Sequence, residues 1–159
     1  MADRSDRHTD PHALDRRMHA HPMADVMVVE DDPGVRDATC EVLREEGYVV
    51  EEAASAVEAL ERLDGVPDPR VLLIDIHLGA GVDGIALAGR IRRTRPACRI
   101  LLTSGGEPPE GIAFDGFVGK PFSTDRLVAA LHVLGTYPAF EGSPGFAGGG
   151  SVSEMEYRG

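Results

Sequence analysis

From Asp25 onward, short runs that are apolar at nearly every position alternate with stretches in which apolar residues recur every three or four positions. The first run, Val26–Val29, reads as the core of a strand. Pro33 then opens a helix at its first turn, where a missing N–H costs nothing, and Gly47 ends it. Val35, Ala38, Thr39, Val42 and Leu43 are expected to form its inward stripe. Tyr48–Glu52 reads as a second strand. Ser55 caps a second helix, with Glu58 at the capping-box position, and Asp64-Gly65 stops it. Val71–Ile74 is another continuous apolar run. The spacing predicts a third helix from about Ile85 to Arg95, which Pro96 terminates. Arg99–Leu102 and Gly116–Val118 read as the last two strands. Ser123 caps a final helix that turns Leu127, Val128, Leu131 and Leu134 inward. Strands apolar on both faces and separated by helices imply a parallel sheet covered on both sides, an α/β fold with five strands.

Composition adds boundaries and exclusions. The chain has 159 residues and a formal net charge of −11. Residues 1–22 balance four Asp against four Arg and lack apolar periodicity, so they read as a disordered arm. His8, His12, His19 and His21 in that arm read as solvated, and Met23 is a candidate start of translation. Residues 136–159 are rich in Gly and Pro and read as a flexible tail, with Tyr137, Phe140, Phe146 and Tyr157 as candidate docking residues. The domain between them, residues 23–135, holds a charge of −9. No basic face is visible, which argues against nucleic-acid binding. No stretch is apolar enough to span a membrane, and a cytoplasmic location is expected. Cys40 and Cys98 lie in apolar periodic segments and read as reduced core residues.

In open parallel α/β sheets ligands bind beyond the carboxyl ends of the strands, where the strand order reverses. The first strand delivers Glu30, Asp31 and Asp32 there, the third Asp75, the fourth Thr103 and Ser104, and the fifth Lys120. In a flavodoxin-like two-one-three order, Asp31 and Asp75 would face each other. Two carboxylates about 5 Å apart repel by about 3 kcal/mol at an effective dielectric of about 20. A hard divalent cation relieves that repulsion, and Mg²⁺ favours one or two carboxylates plus waters and phosphate oxygens. Asp32, beside Pro33, is read as a helix cap instead. A carboxylate is also a nucleophile towards phosphorus, a reaction that needs in-line positioning and neutralised oxygen charge. Lys120 and the Thr103 hydroxyl are suited to that neutralisation. Lys120 is the one lysine among 16 cationic side chains, which suggests a task that arginine does not perform.

Taken together, Val28-Val29-Glu30-Asp31-Asp32-Pro33, Leu73-Ile74-Asp75, Leu102-Thr103-Ser104 and Lys120-Pro121-Phe122 resemble the receiver domain of two-component response regulators, in order, over Asp25 to about Gly135. The resemblance implies a flavodoxin-like sheet of order 2-1-3-4-5. It implies Asp75 as phospho-acceptor, Asp31 as direct Mg²⁺ ligand and Glu30 as a ligand through water. The backbone carbonyl of His77 would complete the protein ligands. Thr103 and Lys120 would grip the phosphoryl oxygens, and the Lys120–Pro121 bond would be cis. Phe117 occupies the aromatic switch position, and a plain core phenylalanine is an equal alternative there. The implied partners are a sensor histidine kinase or histidine phosphotransfer protein and a downstream protein, with no catalytic turnover of other substrates and no output domain in the chain.

Three features depart from that pattern. Gly79 stands where a proline is common, and the loop after Asp75 is one residue longer before Asp83-Gly84. The segment from Thr103 to Phe117 is short and contains Pro108-Pro109, so the fourth helix of the fold is expected to be clipped or missing. Rival readings are weaker. Gly79, Gly81 and Gly84 form a literal G-x-G-x-x-G, but the acid expected about 20 residues later is absent, and Asp75 would face the pyrophosphate. Gly119-Lys120 fails as a P-loop because Phe114 and Pro121 occupy required positions. An aspartate-nucleophile phosphatase needs a second carboxylate where His77 stands. A binding module that keeps the fold without phosphorylation is opposed by the intact acid, threonine and lysine set.

Overall fold

Alternation along the strands divides the apolar residues between two helical layers. The computed structural model describes residues 23–79 and 82–138. Five strands, β1 (Val26–Val29), β2 (Val50–Ala53), β3 (Val71–Asp75), β4 (Arg99–Ser104) and β5 (Gly116–Gly119), form one parallel sheet of order β2-β1-β3-β4-β5. Four helices cover it among the described residues: α1 (Pro33–Glu45), α2 (Ala56–Arg62), α3 (Gly84–Thr94) and α4 (Thr124–Val133). Met27, Val29, Leu72, Ile74, Ile100 and Leu102 point to one face, where they meet Ala59 of α2, Leu63 at its C-cap, and Leu87 and Ile91 of α3. Val26, Val28, Leu73, Leu101 and Val118 point to the other and meet Cys40 and Leu43 of α1 and Leu127 and Leu131 of α4. The sheet is therefore buried on both sides, as its uninterrupted apolar strands require.

Each helix starts where a polar side chain satisfies free backbone N–H groups. Asp32, Ser55, Asp83 and Ser123 accept from Val35, Glu58, Ala86 and Arg126 respectively. Glu58 returns the favour by accepting the Ala54 N–H at 2.8 Å and is clamped by Arg62, so its carboxyl is held below the usual range. Both cysteines are free and buried, and burial first of all pushes each thiol up to about 12. They are inert packing residues at neutral pH.

The structure moves two sequence expectations. β2 begins at Val50, not Tyr48. The chain is still turning through Gly47, whose φ is +89°, and Tyr48 is buried beneath the helices. On α1, Val35 and Ala38 lie exposed, and the buried positions are Cys40 and Leu43. The apolar stripe of that helix is wider than the sheet can cover. The fourth helix of the fold is missing: residues 105–115 contain only bends and irregular chain. Gly105-Gly106, Pro108-Pro109 and Gly111 interrupt any helical run there. Asp115 anchors the segment instead, accepting from the Ile100 N–H at 2.8 Å and from Arg92 at 2.6 Å. The expected arm, residues 1–22, and residues 139–159 of the expected tail lie outside the described residues. Among the described residues, no helix is long and apolar enough to cross a membrane.

Candidate functional site

The parallel register sets the site. Pairing of β1 with β3 puts Val29 beside Ile74, so Glu30 and Asp31 leave β1 next to Asp75 at the end of β3. Pairing of β3 with β4 sets Asp75 directly beside Thr103. The Ile76 N–H donates to the Thr103 carbonyl, and the Lys120 N–H donates to the Ser104 carbonyl, which carries Lys120 to the same edge. One carboxylate oxygen from each of Glu30, Asp31 and Asp75 lies within 4.8 Å of the others. Glu30 and Asp75 are buried and Asp31 is exposed, so the cluster opens to solvent on the Asp31 side.

Lys120 bridges the two buried acids. Its Nζ donates to Glu30 Oε2 and to Asp75 Oδ2, each at 2.6 Å. Burial alone would depress the ammonium, but the hydrogen bonds to Asp75 and Glu30 outweigh it and its pKa is raised. Glu30 is also raised, chiefly by burial and further by the charge of Asp75, against the pull of Lys120. One cation cannot balance three carboxylates, and the cluster retains hard oxygen donors with an open side. That donor set fits a divalent metal ion. The remaining Asp75 oxygen, Oδ1, accepts the His77 N–H at 3.0 Å. The Lys120–Pro121 bond is cis, as the sequence motif implied.

Thr103, Glu30, Asp75 and Lys120 line a cavity of about 10 Å³, near the minimum for one water, together with Thr39 and Phe122. Phe117 pairs with Leu102 in the sheet and is half-buried against the core on the α2 and α3 face. Two contacts were not foreseen. Arg36 donates to the Glu30 carbonyl at 2.9 Å, and Ser104 Oγ lies 3.5 Å from His77 Nδ1 while accepting the Gly106 N–H. Each depends on how a helix or loop turns back over the sheet edge, which local pattern does not encode. The sequence places Gly84 at the end of a glycine-rich loop, yet a Cβ there would lie 2.0 Å from the Asp75 carbonyl oxygen. Only glycine lets α3 approach the strand end that carries Asp75.

Comparison with known proteins decides the family. A family profile described as response regulator receiver domain matches residues 26–132. The chain belongs to the response regulator receiver family. A response regulator receiver protein of Anaeromyxobacter sp. (strain Fw109-5) is 36% identical over 106 residues, covering 67% of this chain and 43% of that protein. The transcriptional regulatory protein TcrA of Mycobacterium tuberculosis is 34% identical over 115 residues, covering 69% of this chain and 45% of TcrA. The receiver thus spans less than half the length of these relatives. The response regulator TrrA of Thermotoga maritima, crystallised with Mg²⁺ and BeF, shares the fold with a TM-score of 0.63 at 28% identity, covering 70% of this chain and 99% of that one. The receiver domain of NtrX from Brucella abortus matches with a TM-score of 0.61 at 28% identity, over 70% of this chain and 99% of the other. The receiver fold, the strand order 2-1-3-4-5 and the family expected from the sequence all stand.

Proposed function

We propose that Asp75 accepts a phosphoryl group from a phosphohistidine on a sensor kinase or histidine phosphotransfer protein, and that the phosphorylated form alters contacts with a downstream protein. The observation that carries this reading is the bridge from Lys120 Nζ to Asp75 and Glu30 at 2.6 Å, next to the open Asp31. A nucleophilic carboxylate, a mobile cation and a metal-competent acid pair meet at one solvent-facing strand edge. In the transfer, a carboxylate oxygen of Asp75 forms a bond to phosphorus while the P–N bond breaks and its electron pair leaves with the imidazole. Lys120 swings from the carboxylates onto a phosphoryl oxygen, and the Thr103 hydroxyl donates to another. Bound Mg²⁺ supplies neutralisation of the phosphoryl charge. Asp31 and Asp75 are its proposed direct ligands, with the His77 backbone carbonyl, and Glu30 acts through water; the Mg²⁺ and BeF bound to TrrA support that choice of ion. Phe117 is the proposed switch residue, following movement of Thr103. Such a protein is not an enzyme with external turnover, and its proposed compartment is the cytoplasm. Its net charge of −11 favours protein partners over nucleic acid.

The test is intact mass after incubation with a small acyl phosphate and Mg²⁺, for wild type and Asp75→Asn. A gain of one phosphoryl group in wild type alone is expected. No gain in wild type, with Mg²⁺ binding verified separately, contradicts the reading.

A further inference from the structure

Asp31 is the member of the acid cluster that faces solvent, yet its carboxylate is confined on the side of the loop between β3 and α3. A Cβ built on Gly79 would lie 2.9 Å from Asp31 Oδ2, 3.8 Å from its Cγ and 4.0 Å from its Cβ. The first of these is well inside the ordinary non-bonded contact of about 3.5 Å. The Asp31 carboxylate therefore occupies the space that any side chain at position 79 would take. Gly79 also turns the chain with φ +26°, which proline, fixed at about −65°, does not adopt. The glycine that departs from the usual receiver pattern is thus part of how this site is built.

The backbone that carries Asp31 is anchored on both sides. The Glu30 N–H donates to the Ala53 carbonyl at 3.1 Å, and Arg36 donates to the Glu30 carbonyl at 2.9 Å. Beyond Asp31, the Asp32 N–H donates to Glu30 Oε1 at 3.3 Å, and the Asp32 side chain caps α1. Turning a side-chain torsion costs less than breaking that set of hydrogen bonds. Pressure from position 79 would therefore fall on the Asp31 side chain and not on its backbone. A displaced carboxylate has two directions open to it. Towards Asp75 and Glu30 it meets like charge, since one oxygen of each acid already lies within 4.8 Å of the others. Away from them it meets water. The second direction is favoured, and it draws a ligand out of the cluster.

We propose that Gly79 is a positioning residue for the metal: having no side chain, it keeps open the space in which the Asp31 carboxylate stands beside Asp75. The loop after β3, and not the acids alone, then sets the strength of cation binding. The same residue sets the Mg²⁺ concentration at which Asp75 becomes competent to accept phosphate. This inference rests on the metal-binding part of the function proposed above.

The test compares wild type with Gly79→Ala and Gly65→Ala. Gly65 has φ +73° and nothing within 4 Å of its built Cβ, so its variant carries the strain of a left-handed alanine without touching the site. Urea unfolding of the metal-free proteins is expected to show a similar loss of stability in both variants. Carbon NMR of the metal-free proteins should show the Asp31 carboxyl signal moved in Gly79→Ala and unmoved in Gly65→Ala. In titration calorimetry Mg²⁺ should bind Gly65→Ala as it binds wild type. It should bind Gly79→Ala about tenfold more weakly or worse, as when a group that orients a metal ligand is lost. Wild-type affinity in Gly79→Ala overturns the proposal and leaves the metal site standing. Equal weakening in both variants also overturns it, because general strain then explains the loss. A Gly79→Ala chain that no longer folds overturns it as well, since the pressure has then fallen on the backbone. Failure of wild type to bind Mg²⁺ removes the metal reading and the proposal together.

Discussion

Lys120 holds two acids that would otherwise repel each other. Glu30 and Asp75 are buried, and both take their strongest contact from the same ammonium at 2.6 Å. Removing one member of such a set leaves uncompensated charge in a poorly hydrated place, which is costlier than losing an exposed ion pair. Lys120 is partly open to water, so the cost is moderated. Lys120→Gln is expected to lower the stability of the metal-free protein by about 2 kcal/mol, read from urea unfolding. An unchanged midpoint would mean that the acids are solvated well enough to need no cation. The identities of these residues were legible because polar side chains follow apolar runs at the strand ends. The bridging role of Lys120 was not, because it joins residues 45 and 90 positions apart.

Secondary elements explain which parts of the fold the periodicity could carry. Burial of Ala56 and Ala59 on α2 and of Leu127 and Leu131 on α4 follows the three-to-four spacing. On α1 the same spacing also admits Val35 and Ala38, since periodicity reports which face is apolar and not how much of it a partner covers. The absent helix before β5 was legible from its prolines, while the anchoring by Asp115 was not. Burial alone would raise the Asp115 carboxyl, but Arg92, the Ile100 N–H and Arg99 hold it below the usual range. Its contribution is therefore present above about pH 4, the unfolded value, and is lost as pH falls through the lower folded value. Asp115→Asn should flatten that part of the acid limb of stability against pH, and should destabilise the neutral protein by about 1–2 kcal/mol. Thermal melts from pH 7 to pH 3 check both. At the start of α3, Gly84→Ala sets a Cβ against backbone and not against a flexible side chain, so the strand end itself must shift. A loss of about 3 kcal/mol is expected by chemical unfolding, at the upper end for overpacking.

At the scale of the whole molecule, four loops from separate strand ends converge on one acidic edge, and the family profile spans residues 26–132 around it. Fold class, strand order and the residues at the site were readable because a parallel sheet obliges its ligands to one end. Distances and the close approach of Gly84 to the Asp75 carbonyl were not, because they depend on packing between elements far apart in sequence. A cation that binds the folded acid cluster and not the unfolded chain must raise thermal stability. Mg²⁺ is expected to raise Tm in wild type and to leave Tm unchanged in Asp31→Ala, measured by calorimetry. An equal rise in both would place the ion elsewhere. The most direct test of the account is borohydride reduction after treatment with acyl phosphate and Mg²⁺, followed by peptide mass mapping. Reduction of an aspartyl phosphate leaves homoserine, and the account predicts homoserine at position 75 alone. Homoserine at another acid, or none in a folded chain that binds Mg²⁺, would contradict it.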